Sequence, residues 1–344
     1  MTDSSASLPR HLALVTDAWE PQVNGVVRTY QMIVGLLRES GWRVSIYQPG
    51  DFRCVPCPTD PEIPLAVNAW PGLARQLRAA RPDYIHIATE GPLGLAARLW
   101  CARHKYRFTT SFHTRFPEFI HERVGLPLGI TYAAAKWFHN GAAATLVPTP
   151  SLMRELMSRG FLTCRRWTHG VDLQRFHPSR RIALDYPNPV LLFVGRVAVE
   201  KNIEAFLALD VPGTKLVVGD GPQRGRLQAR YPQAVFLGTK QGEELASLFA
   251  SADVFVFPSR TDTFGLVLLE ALASGTPIAG YPVTGPIDVA NDATVGGISE
   301  DLGEAVAHAL QCSRAACRSY AEQFSWEEAA RILAESLVPV GSGV

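Results

Sequence analysis

The feature that most restricts how this chain can fold is its alternation of short, unbroken apolar runs with helical stretches, in two successive series. In the first series His11–Thr16, Arg43–Tyr47, Tyr84–Ala88, Arg107–Ser111 and Ala144–Pro148 read as strands. Helices are predicted between them over Gly25–Ser40, Gly72–Ala80, Leu93–His104 and Ile130–Asn140, while the proline-rich stretch from Cys54 to Pro64 reads as a loop. Strands apolar on both faces belong in a parallel sheet covered by helices on both sides. Trp167–Pro178 (WTHGVDLQRFHP) breaks the rhythm with Gly170, Asp172 and Pro178 and reads as a domain crossing. A second series follows with strands at Val190–Val194, Lys215–Val218, Ala234–Leu237, Val254–Phe257 and Pro277–Gly280, and a last amphipathic helix spans Trp326–Leu337. Two successive series imply an α/β protein of two Rossmann-like domains facing a cleft, with ligands at the carboxyl ends of the strands.

The length of 344 residues suits two domains, and 47% apolar content excludes disorder. No apolar run approaches the roughly 18 residues of a membrane-spanning helix. The beginning, MTDSSASLPR, lacks the apolar core of a signal peptide, so a cytoplasmic protein is expected. Six cysteines in this length make no disulfide scaffold; Cys54 and Cys57 form a CxxC without a second pair or histidines at zinc spacing, leaving an incidental pair or a metal or redox use open. Residues 1–170 carry a net charge of +7 and residues 171–344 of −6. Three partners fit a basic first half: water alone, an anionic membrane surface, or nucleic acid. No aromatic-interleaved basic run or zinc finger supports the last, so no nucleic acid is expected.

Two stretches carry the chemistry. In VFPSRTDTFGLVLLEALASGTPI (Val256–Ile278) a strand gives way to a polar loop with Asp262 and Thr263, and a helix opens at Phe264, Gly265 and Leu266 and carries Glu270. The first N–H groups of such a helix are unpaired and hold anions. In LLFVGRVAVEKN (Leu191–Asn202) a strand ends at Gly195, followed by Arg196 and, five residues on, Lys201. Two cations at a strand end suit a diphosphate, and carboxylates nearby suit sugar hydroxyls. Gly219 and Gly221 end another strand in a GxGxxxG spacing, which is not the GxGxxG of a dinucleotide site. Thr239 and Lys240 follow a further strand. Near the start, DAWEPQVNGVVRTY (Asp17–Tyr30) places Asn24 and Gly25 at a loop tip, where Asn24 can cap the following helix. His113 and Glu90 each lie just past a strand end; Glu90 either meets an acceptor or caps the helix near Leu93. Asp172 reads as a hinge cap. Neither a GxSxG nor a D-x-D metal motif occurs.

Together Arg196, Lys201, Asp262 and Glu270 resemble the donor site of glycosyltransferase family 4, retaining enzymes of the GT-B fold. The family's two acids eight positions apart stand here as Asp262 and Glu270, the first being Asp in place of the usual Glu. PQVNG resembles bacterial transferases that make diacylglycerol-type glycolipids, and the chain also resembles GDP-mannose-dependent α-mannosyltransferases. The resemblance implies an acceptor domain at 1–170, a nucleotide-sugar domain at 171–325 and a helix at 326–344 returning to the first domain. It implies a UDP- or GDP-sugar donor held by Gly25, Gly195, Arg196, Lys201, Gly219, Gly221, Thr239, Lys240, Asp262, Thr263, Phe264, Gly265, Leu266 and Glu270. His113, Arg196, Lys201 and Asp262 are its expected catalytic residues, and Asn24, Glu90 and Arg115 its acceptor contacts. No metal or other cofactor is expected, and the anticipated partner is a membrane lipid at the inner face of the cytoplasmic membrane. A soluble or polysaccharide acceptor, a sugar-nucleotide epimerase and a non-enzymatic nucleotide-sugar binder remain open.

Overall fold

Each strand of the two main sheets takes its place through alternation of side chains across a doubly covered surface. The computed structural model describes residues 10–341 apart from 23 and 59. The chain divides into two units, residues 1–168 with 327–344 and residues 169–326.

The first unit holds a six-stranded parallel sheet formed by β1 (His11–Val15), β2 (Arg43–Tyr47), β5 (Tyr84–Ile87), β6 (Thr109–Ser111), β7 (Ala144–Val147) and β8 (Cys164–Arg166), in the order β2-β1-β5-β6-β7-β8. Between β2 and β5, β3 (Cys54–Cys57) pairs antiparallel with β4 (Asp60–Ala66). This corrects the expected proline-rich loop. A two-stranded ribbon consists of edges, where the N–H that proline lacks is of little consequence, and Pro56 pairs with Pro64. The helices are α1 (Gly25–Glu39), α2 (Ala69–Ala80), α3 (Pro92–His104), α4 (Phe116–Val124), α5 (Leu128–Asn140) and α6 (Pro150–Ser158). The helix α4 was not anticipated, because its apolar positions are few and its C-cap Gly125 lies only three residues before α5.

The second unit repeats the plan with β9 (Val190–Val194), β10 (Thr214–Val218), β11 (Val235–Gly238), β12 (Val254–Phe257), β13 (Ile278–Gly280) and β14 (Gly296–Ile298), in the order β11-β10-β9-β12-β13-β14. Its helices are α7 (Ile203–Leu207), α8 (Arg224–Arg230), α9 (Gly242–Ser251), α10 (Leu266–Ala273), α11 (Pro286–Val289), α12 (Leu302–Ala309) and α13 (Arg314–Ala321); α14 (Trp326–Ser336) follows. On β9, Leu191 and Phe193 pack with Phe206 of α7 and Val306 of α12, whereas Leu192 packs with Phe249 of α9 and Leu272 of α10. That alternation is the period of two that a sheet between two helical layers requires. From α14, Leu333 is buried and the carbonyl of Ala329 accepts from Trp167 Nε1 at 2.8 Å, within the first unit.

In both sheets the chain order reverses at one place, between β1 and β5 and between β9 and β12. The carboxyl ends of strands at such a reversal are where ligands bind in open parallel sheets.

Candidate active site

In the second unit, the loops after β9 and β12 meet at that reversal. Asn202 Nδ2 donates to the carbonyl of Pro258 at 3.1 Å, Ser259 Oγ to the carbonyl of Glu200 at 3.3 Å, and Thr261 Oγ1 to the same carbonyl at 3.4 Å. These bonds tie the turn Val199–Lys201 to the loop before α10. The result is a direct ion pair: Lys201 Nζ lies 2.6 Å from Asp262 Oδ1, with both side chains largely shielded. The other oxygen, Asp262 Oδ2, is buried and has no hydrogen-bond partner within the protein. It is therefore an acceptor suited to a donor brought by a ligand, since an unmet buried carboxylate oxygen is costly. Lys201 and Asp262, expected separately as phosphate and sugar contacts, are thus one unit.

Arg196 stands at the end of β9 with a third of its side chain exposed, 3.9 Å from Glu200. Gly265 adopts a left-handed φ of 82° as the N-cap of α10, so the amide groups that open at Leu266 are not covered by a capping side chain. Glu270, one turn into α10, is 3% exposed. Phe264 and Thr263 are buried; the Phe264 ring stacks on His169 at 4.6 Å between centroids. His169 was not singled out from the sequence. Burial pushes its pKa down to about 3, so it serves as a neutral aromatic platform beneath the loop.

Gly219 sits where two loops approach closely. A side chain there would meet the carbonyl oxygen of Gly195 at 1.9 Å, because Gly195 N donates to Val218 O and Val197 N to Asp220 O. Gly219 and Gly221 therefore let the β10 loop press against the β9 loop that carries Arg196. Lys240 pairs with Glu244 of α9, and Thr239 is exposed beside it.

In the first unit, Asn24 Oδ1 accepts from Val27 N at 3.0 Å and caps α1, where Gly25 is the first residue. His113 Nε2 lies 3.0 Å from the hydroxyl of Tyr30, which is also 2.8 Å from His86 Nε2 and 2.9 Å from Ser111 Oγ. Burial pushes His86 down to about 3 and raises Tyr30, so both stay neutral and orient His113 by hydrogen bonding alone. No sequence pattern announced this cluster, whose members lie on α1, β5, β6 and the loop after β6.

Glu90 Oε1 is 3.0 Å from Nε2 of the fully buried His139. Asp17 occupies the cap position that Glu90 was a candidate for: its oxygens accept from Leu93 N at 2.8 Å and Gly94 N at 3.1 Å, and Thr89 Oγ1 donates to it at 2.9 Å. Burial raises the Asp17 carboxyl to about 6. Arg115, expected as an acceptor contact, is paired within the first unit. Its guanidinium is 2.7 Å from Glu155 and 3.1 Å from Glu118, an ion-pair cluster that fastens α4 to α6. Asp172 Oδ1 accepts from Gln174 N and Arg175 N, as a turn cap does. All six cysteines are unbridged, and among the described residues no group of three or more His, Cys, Asp or Glu is placed to hold a metal ion.

Residues 188–313 match the family model of group 1 glycosyl transferases and residues 23–175 that of glycosyltransferase family 4. The chain is 34% identical to a GDP-mannose-dependent alpha-mannosyltransferase of Mycobacterium tuberculosis, over 86% of this chain and 87% of that protein. It is 26% identical to an alpha-monoglucosyldiacylglycerol synthase of Streptococcus pneumoniae, over 78% and 70%. Among solved structures, sucrose-phosphate synthase from Thermosynechococcus elongatus superposes with a TM-score of 0.75 at 20% identity, covering 95% of this chain and 98% of that one, which establishes the shared GT-B fold. By these matches the chain belongs to glycosyltransferase family 4, and it is a hexosyltransferase.

Proposed function

We propose that the protein moves a hexose from a GDP- or UDP-sugar, with retention, onto a hydroxyl of a diacylglycerol-type lipid at a membrane surface. The observation that carries the donor reading is the Lys201–Asp262 pair beside Arg196 and the open amino end of α10. Arg196, Lys201 and those amides neutralise the departing diphosphate, an electrostatic contribution that is usually the largest in catalysis. Asp262 Oδ2 accepts a sugar hydroxyl, and Glu270 takes the ribose hydroxyls. As the bond from the anomeric carbon to the phosphate oxygen breaks, the acceptor oxygen bonds to the same face and its proton passes to the leaving phosphate. His113, held by Tyr30, is a further proposed catalytic group. GDP-mannose is the first donor to test, because the mannosyltransferase relative uses it by name.

The lipid reading rests on the first unit. Val124, Leu126, Leu128 and Ile130 are all at least 40% exposed, and on α5 Ile130, Ala133, Ala134 and Trp137 form an exposed apolar stripe at helical spacing. An apolar helix face left in water marks a contact surface. Its neighbours are basic: Arg98 lies over Trp137 at 3.9 Å and Arg123 over Phe119 at 4.0 Å. Cations beside apolar anchors suit an anionic lipid surface.

The test is incubation with a panel of GDP- and UDP-sugars and a total lipid extract, read by mass spectrometry. A hexosylated diacylglycerol-type lipid and released nucleoside diphosphate are expected. Product formed only on soluble acceptors would overturn the lipid assignment, and absence of nucleotide release with every donor would overturn the transferase chemistry at this site.

A further inference from the structure

The first unit carries a second concave site at the opposite edge of its sheet. The residues described above stand at the carboxyl ends of the strands. The carboxyl ends of α2 and α3, by contrast, lead into the amino ends of β5 and β6 and frame a cavity of about 370 Å³. Its wall includes Arg78, Arg81, Trp100, His104, Tyr106 and Val340.

Three observations converge there. Trp100, His104 and Tyr106 form an aromatic cluster of tilted and edge-on rings, with centroids 4.5 Å apart for Trp100–His104 and 5.1 Å for Trp100–Tyr106. The His104 ring is held in place by Nδ1–H donating to the Trp100 carbonyl at 2.9 Å. The indole Nε1 of Trp100, a residue only 3% exposed, is buried and has no hydrogen-bond partner. Arg78 and Arg81 lie one helical turn apart, and among the described residues neither side chain makes an ion pair. No acid lines the cavity, and the neighbouring Asp83 is occupied in accepting from His11 N at 2.8 Å. Cations at helix carboxyl ends favour the helix dipole, which accounts for their sign. It does not account for an aromatic wall or for a buried donor left unmet, which costs stability unless something accepts from it. The larger cavity of about 510 Å³ in the second unit lacks this character, because its one cation, Arg314, already donates to the carbonyls of Ala250 and Ala252.

We propose that this cavity binds a small organic phosphate whose planar ring lies on the Trp100–His104–Tyr106 surface. Two guanidinium groups spaced by one turn match phosphate oxygens, which they hold through paired, charge-assisted hydrogen bonds. The indole N–H supplies a further donor. The volume lies within the range of sites for small molecules. The site is separate from the transferase chemistry and does not depend on which sugar or acceptor is used.

Phenyl phosphate is the probe, with inorganic phosphate and phenol as its two halves. Calorimetric titration of the full chain is expected to show phenyl phosphate binding more tightly than either half. The double variant R78A/R81A should lose at least about 10-fold in affinity, as expected when charge-assisted bonds to phosphate are removed, while R196A at the donor site should bind as the parent does. Both arginines are exposed, so the double variant is expected to keep the parent Tm within the error of the measurement. In a nitrogen–proton correlation spectrum, the indole signal that disappears in W100F should shift on addition of phenyl phosphate to the parent protein. Unchanged affinity in R78A/R81A, loss of binding in R196A instead, or an unmoved Trp100 indole signal would each overturn the proposal.

Discussion

Lys201 faces Asp262 at 2.6 Å, so each residue fixes the position of the other before any donor arrives. Replacing Lys201 or Arg196 by Ala should lower kcat/KM by roughly 10- to 1000-fold, the range for removing one preorganised charge from a departing anion. Steady-state kinetics on folded variants checks this, and near-parental turnover in either would remove the proposed donor site. Glu270→Gln should weaken nucleotide binding with little change in Tm, because amide and carboxylate have the same shape; unchanged affinity with a collapsed Tm would make Glu270 a purely structural group. Asp17 gives a pH signature. Its folded pKa of about 6 stands above the ordinary 3.8, so the folded state holds the proton more tightly than the unfolded chain. Stability contributed by Asp17 is therefore fully present below about 4, declines as pH rises to about 6 and is level above that. Asp17→Ala should lose about 1–3 kcal/mol from the unmet Leu93 and Gly94 amides, and its Tm deficit relative to the parent should shrink between pH 4 and 6. A deficit independent of pH would show that Asp17 does not titrate there.

At the scale of elements, the proposed donor site is a product of loops that lock onto one another rather than of any single motif. The β9 loop is bonded to the β10 loop through Gly195 and Val197 and to the β12 loop through Asn202 and Glu200. Gly219→Ala would drive a methyl group against the Gly195 carbonyl, at 1.9 Å from the oxygen, and must push the β9 loop aside. Because Arg196 is the next residue, the variant should lose activity as well as stability, with an effect on kcat/KM approaching that of Arg196→Ala. Loss of Tm alone, with kcat/KM retained, would separate the glycine from the placement of Arg196. The hairpin β3–β4 makes the opposite point. Its prolines signalled a loop, yet a ribbon made only of edges tolerates them.

For the whole molecule, the predictions concern surface and charge. The first unit bears the exposed apolar stripe on α5 together with the excess of basic residues, so it should bring the protein to anionic vesicles and release it in salt. Surface attraction is screened beyond about 8–10 Å at physiological ionic strength, and co-sedimentation at low and high salt measures the effect. Indifference to anionic vesicles at every salt concentration would remove the membrane-surface reading while leaving the donor residues untouched. Among the described residues no helix is long and apolar enough to cross a membrane. Chelation with EDTA should leave activity largely intact, since Arg196, Lys201 and the α10 amides are proposed to neutralise the diphosphate. Loss in EDTA restored by magnesium or manganese would count against that mechanism.

The sequence by itself determined the two βα series, the parallel sheets and the family. Those depend on local signals: unbroken apolar runs such as Val254–Phe257, a glycine at the head of α10, and acids and cations at fixed spacing from strand ends. What only the tertiary structure decided were the partners of those residues. Lys201 and Asp262 are 61 positions apart and meet because β9 and β12 are neighbours in the sheet. Arg115 turns to Glu155 and Glu118, while Asp17 reaches 76 positions along the chain to cap α3. Tyr30, His86 and His113 come together from three elements around one hydroxyl. Such contacts arise from the strand order 3-2-1-4-5-6 and its counterpart in the first sheet, and no periodicity along the chain encodes which distant loops a reversal of that order brings face to face.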